Sequence, residues 1–343
     1  MRRRARPVPS PAPARASRAR GGDTLLDSVA RRIAALRLDL GGLTVVTEAA
    51  TGAYACTAVL AALAGARARV LARSTRRHGS AAQAVAATLD LARQAGVAAR
   101  IAPVERLGPA ELADCDILTN SGHLRPITGE AIRLLPDRAV IALMFEAWEF
   151  READLDLPAC RARGLRIAAV NERHPDVAVF PFLGPLCLRL MTEAGLAAAG
   201  RRLALICDNS FEPYLRAGLT QAGAGVVTCA SAQAVPPGPW DAFVLALDPN
   251  RNPPLGAESL ARLSALAPQA PVVQFWGDLD RAAAQALGLA VAPAQAPAPG
   301  HMGVLLDALG HEPIVRLQCG GLKAAEIVFR SAPCAPGGVA ELL

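Results

Sequence analysis

The sequence predicts an α/β fold made of two doubly wound domains, an N-terminal Rossmann-like parallel sheet and a C-terminal flavodoxin-like domain. Apolar runs of strand length alternate with helix-length segments along nearly the whole chain. These runs lack the polar and apolar alternation of a half-exposed sheet, which indicates parallel strands buried on both faces. At 343 residues the chain is also longer than one hydrophobic core usually serves, which favours two domains.

The first domain is predicted over residues 23–177. It opens with an amphipathic helix whose N-cap is Asp23 or Thr24. Helices then separate six strand patterns, which are LTVVTE, RARVLAR, VAARIAPV, DILTN, AVIALMFE and LRIAAVNE. Six strands are the full complement of a doubly wound dinucleotide-binding sheet.

A second alternating series follows an apolar segment, residues 178–199, which is predicted to be a connecting helix. Residues 200–343 then form the second α/β domain, with four or five strands. Its strand patterns are RRLALICD, VVTC, DAFVLALD, PVVQFW and finally IVRL, and the helix GLKAAEIV follows the last of them. This alternation is typical of a flavodoxin-like sheet.

The net charge of +6 comes from the beginning of the chain. MRRRARPVPSPAPARASRAR contains seven arginines and no acidic residue, and subtracting these seven charges from six leaves the other residues near −1. We expect residues 1–22 to be a disordered basic tail, because they are rich in Pro, Ala and Ser. The folded part lacks the basic surface that nucleic acid requires, and no apolar run is long enough to span a membrane.

The eight cysteines are scattered and form no C-x-x-C pair. This pattern favours small buried side chains in a reducing compartment over disulfides or a metal site. We therefore expect a cytoplasmic protein without a metal, a nucleic-acid partner or a membrane partner. A small-molecule substrate is the expected ligand, and the sequence allows a homodimer.

The stretch VVTEAATGAYACTA, residues 45–58, joins the first strand to a helix, where a dinucleotide-binding turn must lie. With Gly52 as the middle glycine, Ala50 and Ala55 stand at the other two glycine positions, and Gly65 closes the helix. In this frame the chain resembles the cofactor domains of the D-2-hydroxyacid dehydrogenases and the S-adenosylhomocysteine hydrolases. The resemblance implies that Ala50, Gly52 and Ala55 lie against the pyrophosphate of NAD(P). An ordinary strand-to-helix turn is the alternative.

The second strand ends at Arg73, Ser74 and Arg77, where an NAD-binding domain carries the acidic residue that holds the ribose hydroxyls. Basic side chains there favour the 2′-phosphate of NADP over NAD, and a solvated basic loop is the alternative. Further along, CDILTNSGHLRPITGEAIRLLPDRAVIALM resembles the part of both families in which a strand ends at the nicotinamide, which assigns Asn120 to the cofactor. The resemblance spans roughly residues 40–172 and implies no particular substrate.

Polar clusters follow the fourth, fifth and sixth strands. Because the carboxyl ends of parallel strands meet at one edge, we expect these clusters to converge on one crevice. Proton transfer and anion binding use histidine, carboxylate and arginine side chains, so the catalytic candidates are His123, Glu146, Arg151 and His174. The substrate-binding candidates are Arg125, Glu149, Asn171, Glu172 and Arg173. Each of these residues taken alone also suits an ordinary surface position.

The second domain offers further candidates. Asp208 and Asn209 follow its first strand and form either a substrate-binding loop or a helix cap. The stretch CGGLK, which ends at Lys323, is predicted to open a helix and to hold an anionic substrate on glycine amides and the only lysine of the chain. An incidental lysine at a helix entry is the alternative. His301, in the loop PGHM, is a candidate for the wall of an interdomain cleft.

These observations predict an NAD(P)-dependent oxidoreductase that acts on a small polar, carboxylate-bearing substrate in a cleft between the two domains. Two alternatives stay open. One is a two-domain glycosyltransferase that binds a nucleotide-sugar mainly in its C-terminal domain, and the other is a non-catalytic dinucleotide-binding protein. They differ in which domain binds which nucleotide.

Overall fold

A computed structural model of the chain describes residues 24–75 and 79–343. The expected basic tail, residues 1–22, lies outside this part of the chain, as do Asp23 and Arg77. Thr24 is the N-cap of the first helix. Its hydroxyl accepts a hydrogen bond from the N–H of Asp27 (3.1 Å), and the Asp27 carboxylate accepts one from the N–H of Thr24 (3.1 Å).

The first part of the chain alternates between strands and helices. Its helices are α1 (Leu25–Leu36), α2 (Cys56–Leu63), α3 (Ala81–Gln94), α4 (Pro109–Leu112), α5 (Gly129–Leu134) and α6 (Leu157–Ala162). Its strands are β1 (Thr44–Glu48), β2 (Arg67–Leu71), β3 (Ile101–Val104), β4 (Ile117–Thr119), β5 (Val140–Ala142) and β6 (Arg166–Val170). All six predicted strands are present.

The second part continues the alternation. Its helices are α7 (Leu183–Glu193), α8 (Glu212–Gln221), α9 (Ala257–Leu266), α10 (Arg281–Ala286) and α11 (Glu312–Phe329). Its strands are β7 (Arg202–Cys207), β8 (Gly225–Cys229), β9 (Ala242–Ala246), β10 (Val272–Trp276), β11 (Val291–Ala292) and β12 (Ala340–Leu342). Within the described residues, no helix combines the length and the apolar character needed to cross a lipid bilayer.

The strands form two sheets. In the first the order is β12-β6-β5-β4-β1-β2-β3, and every pair is parallel except the antiparallel pair of β12 with β6. Strands one to six therefore follow the order 3-2-1-4-5-6 of the doubly wound Rossmann sheet. The second sheet, β11-β10-β9-β7-β8, is parallel throughout and has the flavodoxin-like order. The predicted fold class is confirmed.

The end of the chain returns to the first sheet, which corrects two expectations. The sequence IVRL is part of α11 rather than a strand, and the short β11 is the fifth strand of the second sheet. Although residues 200–343 were expected to form one domain, α11 packs on β5 and β6 and β12 pairs with β6. The apolar residues of α11 face this sheet at helical spacing, because Ile314, Val315, Cys319, Leu322 and Ala325 are all fully buried.

We call the first sheet with its helices the first unit and the second sheet with its helices the second unit. The helix α7 lies within the expected connecting segment, residues 178–199, and packs on α8 of the second unit. Gly184 of α7 and Gly218 of α8 lie at this crossing. A Cβ atom at Gly218 would lie 2.5 Å from Cα of Gly184, and one at Gly184 would lie 2.7 Å from Cα of Gly218. The two helices therefore touch backbone to backbone, and only glycine fits on either side.

We expect Gly218→Ala to lower the free energy of unfolding by about 2 kcal/mol. The added methyl meets backbone that cannot swing aside, so overpacking costs about 3 kcal/mol, of which better helix propensity returns about 1 kcal/mol. Urea denaturation measures the change. Gly225→Ala is the control, since its Cβ would meet only a carbonyl oxygen at 3.8 Å. Equal midpoints for the two variants would contradict the close crossing.

Candidate functional site

The carboxyl ends of the two sheets face each other across a cleft that holds a cavity of about 190 Å³. The first unit lines this cavity with residues that follow β1 and β5. The second unit lines it with the last residue of β10 and with residues that follow β9 and β11. The polar or aromatic lining residues are Tyr54, Phe145, Glu149, Arg151, Asn250, Trp276 and His301. Of the three polar clusters that were expected to converge, the one after β5 contributes Glu149 and Arg151 to this wall, whereas the described residues of the clusters after β4 and β6 do not line it.

An aromatic cluster, of which Trp276 lines the cavity, joins the two units. The Trp148 ring, in the turn after β5, lies 5.4 Å from the Phe211 ring and 5.6 Å from the Trp276 ring, centroid to centroid. Phe211 also packs edge to face on Phe180 at 5.3 Å. Such contacts add to the stabilisation from apolar burial and fix the position of Trp148.

Three glutamates from the ends of β5 and β6 lie beside this cluster. Glu146 is fully buried and accepts hydrogen bonds from Trp148 Nε1 (2.5 Å), Arg173 Nε (3.1 Å) and the N–H of Glu172 (2.9 Å). Burial raises the pKa of Glu146, while its bonds to Trp148 and Arg173 oppose the rise. Glu146 therefore links the turn after β5 to the turn after β6 through hydrogen bonds.

Glu149 and Glu172 differ from Glu146, because neither carboxyl group has a hydrogen-bond partner among the described residues. Burial, with the charge of Glu146, raises the pKa of Glu149 to about 8. Burial, with the charges of Glu149 and Glu146, also raises the pKa of Glu172 well above its usual value. Glu149 is therefore mainly protonated at neutral pH, since desolvation and the neighbouring carboxylates disfavour its ionised form.

Arg151 reaches across the cleft to His301. Its Nε and Nη2 donate to the same oxygen of Asp154 at 3.0 Å and 2.7 Å, and its Nη1 lies 3.4 Å from His301 Nε2. The Nδ1 atom of His301 lies 3.0 Å from the carbonyl oxygen of Pro299. Because a carbonyl oxygen only accepts, Nδ1 carries the proton, and in the neutral ring Nε2 is the acceptor.

The position of His301 is fixed by its neighbour Gly300. The N–H of Gly300 donates to the Asp278 carboxylate at 3.0 Å, and its carbonyl oxygen accepts from Trp276 Nε1 at 3.2 Å. Gly300 has a φ of +72°, which favours glycine. The loop after β11 is therefore anchored on the end of β10.

A second polar group lies at the ends of β1 and β4. Arg125 Nε donates to the carbonyl oxygen and to Oδ1 of Asn120, both at 3.1 Å, and lies 3.5 Å from the Asp154 carboxylate. The Glu48 carboxylate accepts from the N–H of His123 at 3.0 Å, and burial raises the pKa of Glu48. Asn120 is fully buried, and within the described ranges its Nδ2 has no partner. An orphaned buried amide of this kind is a candidate ligand contact.

The turn after β1 keeps an open backbone at Gly52. This residue is exposed, has a φ of +61°, and nothing lies within 4 Å of where a Cβ would be. Ala50 is less open, since both its N–H (3.0 Å) and its carbonyl oxygen (3.1 Å) bond to the Thr88 hydroxyl. Ala55 is buried at the start of α2, and the Tyr54 ring lines the cavity.

Arg73 and Ser74 are exposed at the end of β2. The N–H of Arg73 donates to His123 Nδ1 (3.2 Å) and its Nη1 to the carbonyl oxygen of Arg125 (3.1 Å). The Ser74 hydroxyl accepts from the N–H of Ala81 at the start of α3 (3.0 Å). The third predicted residue of this group, Arg77, lies outside the described residues.

The remaining candidates do not line the cavity. His174 Nδ1 accepts from the N–H of Asp176 in its own loop at 3.2 Å. Asn171 Nδ2 donates to the carbonyl oxygen of Gly338 at 3.0 Å, which ties the segment before β12 to the end of β6. His123 is likewise absent from the cavity wall.

In the second unit, the Asn209 side chain closes a turn just before α8, because its Oδ1 accepts from the N–H of Phe211, the N-cap of that helix, at 3.0 Å. Asp208 accepts from the N–H of Asp248 (3.0 Å) and from Asn252 Nδ2 (2.8 Å). Phe211 is buried at this turn and its ring belongs to the aromatic cluster. The turn after β7 therefore lacks the open backbone found at Gly52.

The expectation that CGGLK opens a helix is wrong, since these residues lie in the middle of α11. A Cβ at Gly320 would lie 2.9 Å from Val177 Cγ1, and one at Gly321 would lie 2.6 Å from Met144 Sδ. The glycines therefore allow α11 to approach the sheet closely. Lys323 Nζ donates to the carbonyl oxygen of Arg37 (3.0 Å) and to Glu326 (2.9 Å), so its donors are used outside the cleft.

Sequence reasoning passed over Asp154 and Asn250, and it placed His301 in the wall of the cleft without giving it a chemical role. The available signal for His301 was its position between two glycines, Gly300 and Gly303, shortly before the chain re-enters the first unit. In the described part of the chain, no group of three or more histidine, cysteine or acidic side chains is arranged to hold a metal ion.

The architecture, with a doubly wound sheet on each side of a cleft, is similar to that of several solved structures. One dipicolinate synthase subunit, from Bacillus halodurans, superposes with a TM-score of 0.54 at 12% identity, over 85% of this chain and 98% of that one. The dipicolinate synthase chain from Bacillus subtilis gives 0.50 at 12% identity, over 86% and 97%. The pyruvate reductase of Chlamydomonas reinhardtii gives 0.50 at 11% identity, over 88% and 100%.

These likenesses confirm the expected resemblance to the D-2-hydroxyacid dehydrogenases at the level of the fold. No protein-family model matches the sequence. No curated protein matches it either.

Between pH 5 and pH 8, we expect the free energy of unfolding of the unaltered protein to fall relative to that of the variant Glu149→Gln. The pKa of Glu149 is raised to about 8 in the folded protein, so over this range the unfolded chain loses the proton while the folded protein keeps it. The difference between the two proteins grows by at most about 1.4 kcal/mol per pH unit. Denaturant titrations at pH 5, 6.5 and 8 measure it.

Glu152→Gln is the matched control for this prediction, because Glu152 is exposed on the same segment. Its stability curve should run parallel to that of the unaltered protein. Parallel curves for Glu149→Gln as well would show that Glu149 titrates as an ordinary carboxyl group.

Proposed function

We propose that the chain is an NAD(P)-dependent oxidoreductase that acts on a small polar substrate bearing a carboxylate, bound in the cleft. The observation that carries this proposal is the pairing of Arg151 and His301 in the cavity wall, with 3.4 Å between Nη1 and Nε2. A guanidinium beside a histidine acceptor provides an anion-binding group and a proton carrier in one place. The two-domain dehydrogenase fold supports the same reading.

The residues along the first sheet fit a nicotinamide dinucleotide at three points. The backbone at Gly52 is open to the close approach of a pyrophosphate, and Asn120 Nδ2 is a buried donor in need of an acceptor. Arg73 is an exposed cation at the end of β2, which suits a 2′-phosphate and favours NADP over NAD. The raised pKa of Glu48 also favours its neutral form, which would not repel a phosphate.

We assign the substrate and the reacting end of the cofactor to the cavity, because about 190 Å³ is too small for a whole dinucleotide. The bound nicotinamide would supply the hydride acceptor or donor. Arg151, held by Asp154, would bind the substrate carboxylate, and His301 Nε2 would take or return a proton. Trp276 and Phe145 would limit the access of water.

A nucleotide-sugar enzyme has less support from this geometry. That alternative places the nucleotide in the second unit, whose first turn is filled by the ring of Phe211. Asp208 and Asn209 already bond to neighbours in that unit. They remain predicted substrate contacts, as do Asn171, Glu172 and Arg173 in the first unit.

We also propose a cytoplasmic location, which the eight free cysteines support. A homodimer and the absence of a nucleic-acid partner remain predictions. Neither bears on the assignment of the cleft.

We expect the full chain to bind NADPH and Arg73→Ala to bind it about tenfold more weakly, the usual effect of losing one charged contact to a phosphate. Binding of NADH, which lacks that phosphate, should change far less. Calorimetric titration measures both affinities. Arg93→Ala serves as the control, since Arg93 is an exposed partner of Asp90 on α3.

The proposal would be abandoned if neither NADPH nor NADH binds. If Arg73→Ala and Arg93→Ala weaken the binding of NADPH equally, only the assignment of Arg73 to the 2′-phosphate is rejected.

A further inference from the structure

The cavity wall carries charges of both signs on one short turn. Glu149 and Arg151 follow β5 two residues apart, and both line the cavity. Arg151 is held by Asp154 and directs Nη1 toward His301. A substrate that carried only a carboxylate would engage Arg151 and leave the acidic group beside it without a partner.

That acidic group has no partner within the described protein. The carboxyl groups of Glu149 and Glu172 form no hydrogen bond, and Glu172 is only 6% exposed. The nearby guanidinium of Arg173 is already bonded to Glu146. Glu149 lies in the cavity wall without a partner among the described residues, so a ligand in the cavity can bring the donor that this carboxyl group lacks.

The missing donor is an organic cation rather than a metal ion. No set of three or more suitable side chains is arranged around a metal in the described residues. An ammonium or iminium group brings two or three N–H donors and a positive charge to one carboxyl group. The remaining wall, with Tyr54, Phe145 and Trp276, suits the apolar part of a small molecule.

We propose that the cleft binds a small zwitterion, an α-amino or α-imino acid, with its carboxylate on Arg151 and its nitrogen cation on Glu149. Glu172 is close enough to Glu149 for the two carboxyl groups to interact electrostatically. This inference rests on the proposed function, because it names the substrate class of the same cavity. It separates the substrate from a 2-hydroxy acid, which has a neutral oxygen at the corresponding atom.

Proton release accompanies this binding mode. Glu149, with its pKa raised to about 8 by burial, is mainly protonated at pH 7 and must ionise to pair with an ammonium group. Binding should therefore release up to about one proton at pH 7, and affinity should rise from pH 6 to pH 8. The charged or titratable groups that face Glu149 are Glu146, Glu172, Arg151, Asp248 and, across the cavity, His301.

The test is calorimetry on the full chain without cofactor, using matched pairs of 2-amino and 2-hydroxy acids. Both enantiomers of alanine and lactate, and of phenylalanine and phenyllactate, cover a small and a large side chain. In at least one pair the amino acid should bind about tenfold more tightly than its hydroxy analogue. Titrations at pH 7 in two buffers of different ionisation enthalpy count the protons released without any variant.

Glu149→Gln should weaken the binding of the preferred amino acid about tenfold or more. It should change the affinity for the hydroxy analogue by no more than about twofold. Glu152→Gln, on the same segment but exposed, should leave both affinities unchanged. Equal or tighter binding of the hydroxy acids overturns the proposal. So does equal weakening of both members by Glu149→Gln, or a panel in which nothing binds.

The outcome is independent of the cofactor assignment. Amino-acid binding without any nicotinamide binding would remove the oxidoreductase proposal and keep the zwitterion site. Nicotinamide binding together with a preference for hydroxy acids would remove the zwitterion site and keep the oxidoreductase proposal.

Discussion

The return of α11 to the first sheet is the packing constraint on which the cleft depends. The chain leaves the first unit after β6, builds the second sheet, and comes back to bury Ile314, Leu322 and their neighbours. Two connections therefore join the units, and Gly320 and Gly321 let the second one lie tightly against Val177 and Met144. Because the loop that carries His301 precedes this return, the packing of α11 also helps to hold that histidine opposite Arg151.

The charge balance of the cleft follows from where its carboxyl groups lie. Glu146 is stabilised by donors from Trp148, Arg173 and the backbone, so it organises the turns after β5 and β6. Glu149 and Glu172 lack such donors, and desolvation raises the pKa of both carboxyl groups. A fold seldom keeps unsatisfied acids where apolar side chains would pack as well, and such exceptions concentrate at functional sites.

The sequence was sufficient for the features that local pattern determines. Six buried apolar runs separated by helices predicted the strands of the first sheet, and the rule that ligands bind at the carboxyl ends of strands placed the turn after β5, with Glu149 and Arg151, at the cleft. IVRL was misread because its β-branched residues resemble a strand in a short window, although a longer one shows helical spacing. His301 was underrated because its approach to Arg151 depends on contacts 150 residues apart in the chain. Lys323 was selected for its rarity, which carries no geometric information.

Asp154 lies between the two polar groups of the first unit. Its carboxylate binds Arg151 at 2.7 Å and lies 3.5 Å from Arg125, which holds Asn120 at the end of β4. The two arginines thus share one counter-ion. A ligand that draws Arg151 toward the cavity leaves more of that negative charge to Arg125, and an anion near Arg125 has the opposite effect on Arg151. If ligands bind at both arginines, their binding is energetically coupled, and by thermodynamic linkage the coupling free energy is the same in whichever order they bind.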